Sequence, residues 1–239
     1  MKISVITVCF NAASNIGTTI QSVINQSYSN LEYIIIDGGS TDGTVDIIKK
    51  YKANIKYFIS EPDHGIFDAM NKSLEIATGD WVNFMNAGDV YANSHVIENV
   101  FKQNIEENTG IIFGSTLTFK GKMKMTPFIY VNSRYKNMGI CHQSMFVRMD
   151  LAKKFRFDLN FKLTADYNMA MKIYQAGYKL VEKQFPIAIF DLNGYSSKHA
   201  IQQMKETAVI CNAEHSLSFY TTLAIYKLKS FIKQIIKKS

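Results

Sequence analysis

The sequence predicts an α/β fold, a mostly parallel β-sheet flanked by helices, with a smaller second half. Two observations carry that prediction. Short apolar runs such as residues 3–8 and Leu31–Asp37 lack the in–out alternation of a half-exposed strand, and continuous apolar strands belong to sheets covered on both faces. Between them lie stretches whose apolar residues recur at helical spacing, the pattern of strands wrapped by helices.

Taken in order, strand 3–8 precedes a helix through Ile16, Ile20, Val23 and Ile24. The next strand spans 31–37, with Tyr33, Ile34, Ile35 and Ile36 in succession, and a helix follows through Val45, Ile47, Ile48 and Tyr51. A third strand at 55–59 leads to a helix through Met70, Leu74 and Ala77, then to a strand at 81–85. A helix at 96–101 and a strand at 111–113 close the regular part. Beyond Gly114 the pattern loosens. Residues 117–130 read as a hairpin or loop with Lys120, Gly121 and Lys122 at its turn, 141–148 as a strand, 167–175 as a helix closed by Gly177, and 180–190 as one or two strands.

The 239 residues suit one large domain. A hydrophobic share of 47% supplies a core, and three prolines with 20% charge argue against a disordered chain. No run approaches the ~20 apolar residues of a membrane-spanning helix. The opening MKISVITVCFNA meets polar residues at once and reads as a buried strand, not a signal peptide. Cys9, Cys141 and Cys211 are odd in number and widely spaced. They suit a reducing, cytoplasmic setting, with all three as buried small hydrophobes. The net charge is +7, yet five lysines lie between Lys227 and Ser239, so the rest carries 7 − 5 = +2. A nearly balanced body without a basic–aromatic stripe disfavours nucleic-acid binding.

In parallel sheets ligands bind beyond the carboxyl ends of the strands. Four successive ends carry polar, glycine-bearing turns: Thr7-Val8-Cys9-Phe10-Asn11, then Asp37-Gly38-Gly39-Ser40-Thr41-Asp42-Gly43-Thr44, then Ser60 through Asp63-His64-Gly65 to Asp68 and Asn71, then Asn86-Ala87-Gly88-Asp89. Each alone reads as a turn, the second as a helix start capped by Thr41 or Asp42. Together they describe a binding edge.

These motifs resemble the family-two glycosyltransferases of GT-A (Rossmann-like) fold. The stretch Ser60-Glu61-Pro62-Asp63-His64-Gly65-Ile66-Phe67-Asp68-Ala69-Met70-Asn71-Lys72 is similar to a branch associated with bacterial surface polysaccharides such as O-antigen, capsule and exopolysaccharide. No G-x-G-x-x-G follows the first strand, which disfavours a dinucleotide-binding protein. The resemblance implies an inverting transfer of a sugar from a nucleotide-diphosphate donor, a UDP-sugar first, to a hydroxyl of a lipid-linked or surface-polysaccharide glycan. With the pattern loosening near Gly114, the chain reads as two tightly joined halves of one domain, a donor-binding half (1–114) and an acceptor-binding and catalytic half (115–215), followed by a basic amphipathic C-terminal helix (216–239). The resemblance places Thr7, Phe10, Asn11, Asp37, Gly38 and Ser40 at the nucleotide, with Asp37 accepting a base imide N–H. It places Asp63, Gly65, Asp68, Asn71, Asn86, Ala87, Gly88 and Asp89 beside the nucleotide or donor sugar.

The family commonly has Asp-x-Asp-Asp at strand four, its third position holding the metal. Here Asn86 and Gly88 replace two of these acids. Asp89 is then the expected ligand for Mg²⁺ or Mn²⁺, with Arg134, Lys136 and His199 as substitute cations and a helix cap as the plain alternative. Asp166, in Leu163-Thr164-Ala165-Asp166-Tyr167, matches the family's general base, its alternative being an N-cap. His142 and Gln143 match the segment under the acceptor and donor sugar. Asn193-Gly194-Tyr195-Ser196 reads as the start of a flexible loop over the donor, a lid that would exclude water and limit hydrolysis. A non-catalytic nucleotide-sugar-binding protein is the alternative function. In the tail, Leu228, Phe231, Ile232, Ile235 and Ile236 recur at helical spacing among lysines, the composition of a helix lying on an anionic membrane surface, or packed on the body.

Overall fold

The computed structural model describes residues 1–118, 123–124, 141–190 and 199–236, so the turn expected at 120–122 lies outside it. Its elements run β1 (Ile3–Cys9), α1 (Ile16–Ile24), β2 (Leu31–Asp37), α2 (Thr44–Lys50), β3 (Tyr57–Ser60), α3 (Ile66–Ile76), β4 (Trp81–Phe84), β5 (Val90–Tyr91) and α4 (Val96–Phe101). They continue with β6 (Thr109–Thr118), β7 (Met123–Lys124), β8 (Met145–Arg148), α5 (Met149–Phe155), α6 (Ala165–Gln175), β9 (Lys179–Phe190), α7 (Ala200–Ile210) and α8 (Leu217–Ile236).

One sheet runs in the order β3-β2-β1-β4-β8-β6-β9-β5, with β7 paired to β6. The first four strands of that path are mutually parallel. β8 enters antiparallel to both β4 and β6, and β9 runs parallel to β6. All seven residues of β1 are buried, as continuous apolar strands with covered faces should be. Its two hydroxyls are satisfied internally. Ser4 bonds Glu32 at 2.6 Å, and Thr7 Oγ1 bonds Tyr33 Oη at 2.9 Å and the Met85 carbonyl at 2.7 Å. Aromatic rings lock the sheet to its helices. Phe101 sits edge-on to Phe146 at 5.2 Å, and Phe157 packs against both Phe67 and Phe84 at 5.4 and 5.1 Å.

Register sets the rim. Cys9 pairs with Asp37 and Asp37 with Ser60, so the carboxyl ends of β1, β2 and β3 stand side by side.

The departures from expectation have local causes. Residues 141–148 do not form one strand, because a 3-10 turn at His142–Ser144 precedes β8. Buried Asn83 of β4 draws that turn inward, donating Nδ2–H to the carbonyls of Gln143 at 3.0 Å and Met145 at 2.9 Å. Residues 1–126 with 140–192 form one compact unit, and 127–139 with 193–239 form a second. The division expected at residue 114 therefore falls inside β6. The C-terminal helix is present as α8, in the second unit. Cys9 and Cys211 are buried, whereas Cys141 is partly exposed. Among the described residues no helix is long and apolar enough to cross a membrane.

Candidate active site

The turns after β1 and β2 are knitted together by side chains that accept from, or donate to, one another's backbone. Asn11 N–H donates to Ser40 Oγ (2.7 Å), Thr41 N–H to Asn11 Oδ1 (3.0 Å), Ala12 N–H to Thr44 Oγ1 (2.8 Å) and Ala13 N–H to Asp42 Oδ2 (3.0 Å). These bonds hold Asn11 at φ +46°, a left-handed conformation uncommon for residues other than glycine and often found at functional sites.

Asp37, expected at the base, is held by the turns themselves. Its carboxylate is fully buried and accepts from Gly39 N–H, Ser40 N–H, Ser40 Oγ, Ser60 Oγ and Cys9 Sγ. Burial pushes its pKa up, but the bonds from Ser40 and Ser60 outweigh burial and hold it below the ordinary carboxyl value. Asp37 therefore clamps three strand ends. The side chain beside an open aromatic face is Asp63. Its Oδ1 accepts Gly65 N–H at 2.8 Å, while Oδ2 lies 2.6 Å from where a Cβ on Gly38 would sit. Phe10 Cδ2 lies 3.4 Å from that same point, and Phe10 is 64% exposed. Gly38 is thus glycine because a carboxylate and a ring converge on it.

Three more of the residues expected at the donor make contacts within the fold. Thr7 is fully buried and spends its hydroxyl on Tyr33 and Met85. Asn71 clamps Phe157, donating Nδ2–H to its carbonyl and accepting its N–H. Asp68, in the first turn of α3, accepts His64 N–H at 3.0 Å, returning an N3-type carboxylate to the helix start.

The turn after β4 meets the second half of the chain. Ala87 N–H donates to the Val8 carbonyl at 3.2 Å. Thr19 Oγ1 accepts Gly88 N–H at 3.0 Å and donates to the Asp89 carbonyl at 2.8 Å. Gly88 takes φ +103°, which suits glycine. From this anchored turn two side chains reach the 142–143 turn. Gln143 Nε2 donates to Asp89 Oδ2 at 2.7 Å, and Asn86 Nδ2 lies 2.6 Å from His142 Nε2. On the other side of the ring, His142 Nδ1 lies 3.0 Å from Asp166 Oδ2. Asp166 Oδ1 accepts Tyr167 N–H at 2.8 Å. Thr164, not Asp166, stands at the cap position of α6; Asp166 is in its first turn, where a carboxylate complements the helix dipole. Asn86, Asp89, His142, Gln143 and Asp166 are thereby brought into one hydrogen-bonded cluster. Arg134, Lys136 and residues 193–196 lie outside the described residues, and His199 precedes α7 in the second unit.

The strand-end turns of β1 to β4 fall within a match over residues 4–161 to the model of "Glycosyl transferase family 2". The chain belongs to glycosyl transferase family 2. Among relatives, a "PGL/p-HBAD biosynthesis glycosyltransferase" of Mycobacterium bovis is 24% identical over 197 residues, covering 80% of this chain and 77% of that one. An uncharacterized glycosyltransferase of Mycobacterium tuberculosis is 29% identical over 177 residues, 71% of this chain and 68% of that one. Among solved structures, S. aureus TarS 1-349 in complex with UDP superposes with a TM-score of 0.68 at 20% identity, over 88% of this chain. This chain spans only 65% of that protein. The mannosyltransferase PcManGT from Pyrobaculum calidifontis, in complex with GDP-Man and Mn²⁺, gives 0.68 at 17% identity, over 93% and 72%. The GT-A architecture expected above is thus the architecture of this family-two domain.

Among the described residues, no three His, Cys, Asp or Glu side chains converge to hold a metal. The family-two turn nevertheless offers oxygen donors. Asp89 supplies a carboxylate, and the buried amide oxygens Asn86 Oδ1 and Gln143 Oε1 have no hydrogen-bond partner among the described residues. Oxygen-only donors that combine carboxylate and amide carbonyl suit hard divalent cations.

Asn83, Thr19 and Tyr91 hold this site, and sequence reasoning missed them. Tyr91 Oη donates to Asn83 Oδ1 at 2.7 Å, completing the bonds of a fully buried amide. An asparagine inside the otherwise apolar run Trp81-Val82-Asn83-Phe84 was the available signal, since a buried amide must be satisfied.

Proposed function

We propose that this chain is an inverting glycosyltransferase moving a sugar from a nucleotide-diphosphate donor, a UDP-sugar first, to a hydroxyl of a lipid-linked or surface-polysaccharide glycan. The observation that carries this reading is the single cluster joining the strand-end turn 86–89 to Asp166 through His142. A base and a donor-binding turn are what a direct displacement needs within one site.

In that reaction Asp166 removes the proton of the acceptor hydroxyl as its oxygen bonds the anomeric carbon. The bond from that carbon to the diphosphate oxygen breaks on the opposite face. Tyr167 N–H and His142 Nδ1 keep the carboxylate aimed. Phe10 offers its exposed ring for stacking the base, and Asp63 Oδ2 is positioned to accept a base imide N–H. Asp89 would hold Mg²⁺ or Mn²⁺, which when bound neutralises charge on the diphosphate. Relatives in this fold have been solved with Mn²⁺ and nucleotide or nucleotide sugar.

In the same reading α8 rests on an anionic membrane surface at the cytoplasmic face. Leu217, Tyr220, Ile225, Tyr226, Leu228 and Ile232 are exposed along it, beside Lys227 and Lys229. This would bring the enzyme to a lipid-linked acceptor.

The test is nucleotide release from UDP-glucose, UDP-galactose, UDP-N-acetylglucosamine and GDP-mannose, with and without Mn²⁺. Turnover by wild type that is lost in Asp166→Asn, with UDP binding intact, supports the enzyme. Binding without turnover of any donor supports the non-catalytic alternative, which Gly88 in place of a carboxylate favours.

A further inference from the structure

The contacts of His142 assign it a role of its own, resting on the reading of Asp166 as the base. Its ring bridges two groups that do not otherwise touch the same partner: Asn86 Nδ2 at 2.6 Å from Nε2, and Asp166 Oδ2 at 3.0 Å from Nδ1. All three are withdrawn from water, with the side chains of His142 and Asp166 14% and 4% exposed and Asn86 7% exposed.

The donor and acceptor inventory decides the tautomer. An ionised carboxylate only accepts, so the hydrogen facing Asp166 is on Nδ1. A neutral imidazole with Nδ1–H accepts at Nε2, and Asn86 meets that lone pair with its amide N–H. The other end of the same amide, Oδ1, has no partner among the described residues. Both ring nitrogens are therefore occupied, and His142 has none left to take a proton from an acceptor hydroxyl. The turn that carries the ring is equally fixed, because Asn83 donates from the sheet to the Gln143 and Met145 carbonyls.

We propose that His142 is the positioning residue of the base. Its ring presents Nδ1–H to Asp166 while Nε2 faces the Asn86 amide, and it holds Asp166 Oδ2 so that the carboxylate keeps one rotamer. The consequence for turnover is steric and directional: without the ring, Asp166 retains only its bond to Tyr167 N–H among the contacts described above and can swing about χ1 and χ2. Asn86 belongs to the turn that carries Asp89, so the same ring ties the base to the donor-side turn.

Two measurements test this. In the free protein, long-range ¹H–¹⁵N correlation of the His142 ring reads the tautomer without any turnover. The expected result is Nδ1–H; an Nε2–H ring overturns the proposal. The second is steady-state kinetics on whichever of the four nucleotide sugars wild type turns over. His142→Asn puts an amide N–H where Nδ1 stood and should keep kcat within a few-fold. His142→Gln puts its amide near the old Nε2 and should lower kcat about 10–100-fold, the usual cost of losing an orienting partner, with donor KM unchanged in both. Equal kcat losses in the two variants at unchanged Tm, or a loss confined to KM, overturn the assignment. Absence of turnover by wild type on every donor instead sinks the enzymatic reading, and the tautomer measurement still decides this one.

Discussion

Glu32 offers the sharpest test of how this sheet is held. It sits 5% exposed near the amino end of β2, and five donors converge on its carboxylate. They are Lys2 Nζ at 2.5 Å, Ser4 Oγ and Thr78 N–H at 2.6 Å, Thr78 Oγ1 at 2.8 Å and Gly79 N–H at 3.1 Å. Burial pushes the pKa up, but the bonds from Lys2, Ser4 and Thr78 prevail and lower it from 4.5 to about 2. A depressed carboxyl stabilises the fold above its unfolded value and loses that contribution as pH falls towards its folded value. At about 1.36 kcal/mol per pH unit, the fall from 4.5 to about 2 corresponds to roughly 3 kcal/mol at pH 7. About half of that is gone by pH 3. Glu32→Gln leaves Lys2 without its anion and should cost a similar ~3 kcal/mol at neutral pH. Guanidinium denaturation of both proteins from pH 7 to pH 3 measures it. The wild-type advantage should hold from pH 7 to about pH 5 and shrink below that as pH falls through the unfolded carboxyl value. A gap that stays constant with pH, or one below about 1 kcal/mol at pH 7, would refute the electrostatic account.

Two substitutions and a truncation probe the site and the tail. Phe10→Ala removes a ring already exposed to solvent, so Tm should hold while UDP affinity by calorimetry falls roughly 5–150-fold, given about 1–3 kcal/mol for stacking one base; an unchanged Kd removes Phe10 from the nucleotide site. Gly38→Ala puts a methyl 2.6 Å from Asp63 Oδ2 and should raise donor KM about tenfold or more by displacing that carboxylate; unaltered KM means Asp63 reads nothing. Removing residues 227–239 should abolish sedimentation with phosphatidylserine vesicles while nucleotide release persists; a truncated chain that sediments as before places α8 elsewhere than on lipid.

The sheet was legible because burial on both faces writes itself as uninterrupted apolar runs. Residues 31–37 and 96–101 come out with their expected bounds. β5, with two residues, and α5, with seven, are too short to show a period, and their existence depends on partners far away in sequence. β5 owes its pairing to Ile189 and Ala188 of β9. Among site residues, polar character at a strand end was easy to read, but its direction was not. Asp37 and Asp63 both follow strands and both carry carboxylates. Only coordinates reveal that one faces inward to five donors while the other stands beside Phe10. The reach from Asn86 to His142 to Asp166 spans 80 residues of sequence, and no periodicity encodes such a meeting.

Asn83 has an implication for how this chain can diverge. Its amide grips the 142–145 turn from within a strand, and Tyr91 caps its remaining oxygen, so the two positions and the turn form a lock with one key. A lineage that replaces the asparagine must rebuild the turn at the same evolutionary step or lose the histidine's placement. Sequences that keep Asn and Tyr at these positions should therefore keep His142 with them, which makes a pair of residues remote from any ligand a practical marker for sorting family members by the build of their catalytic centre.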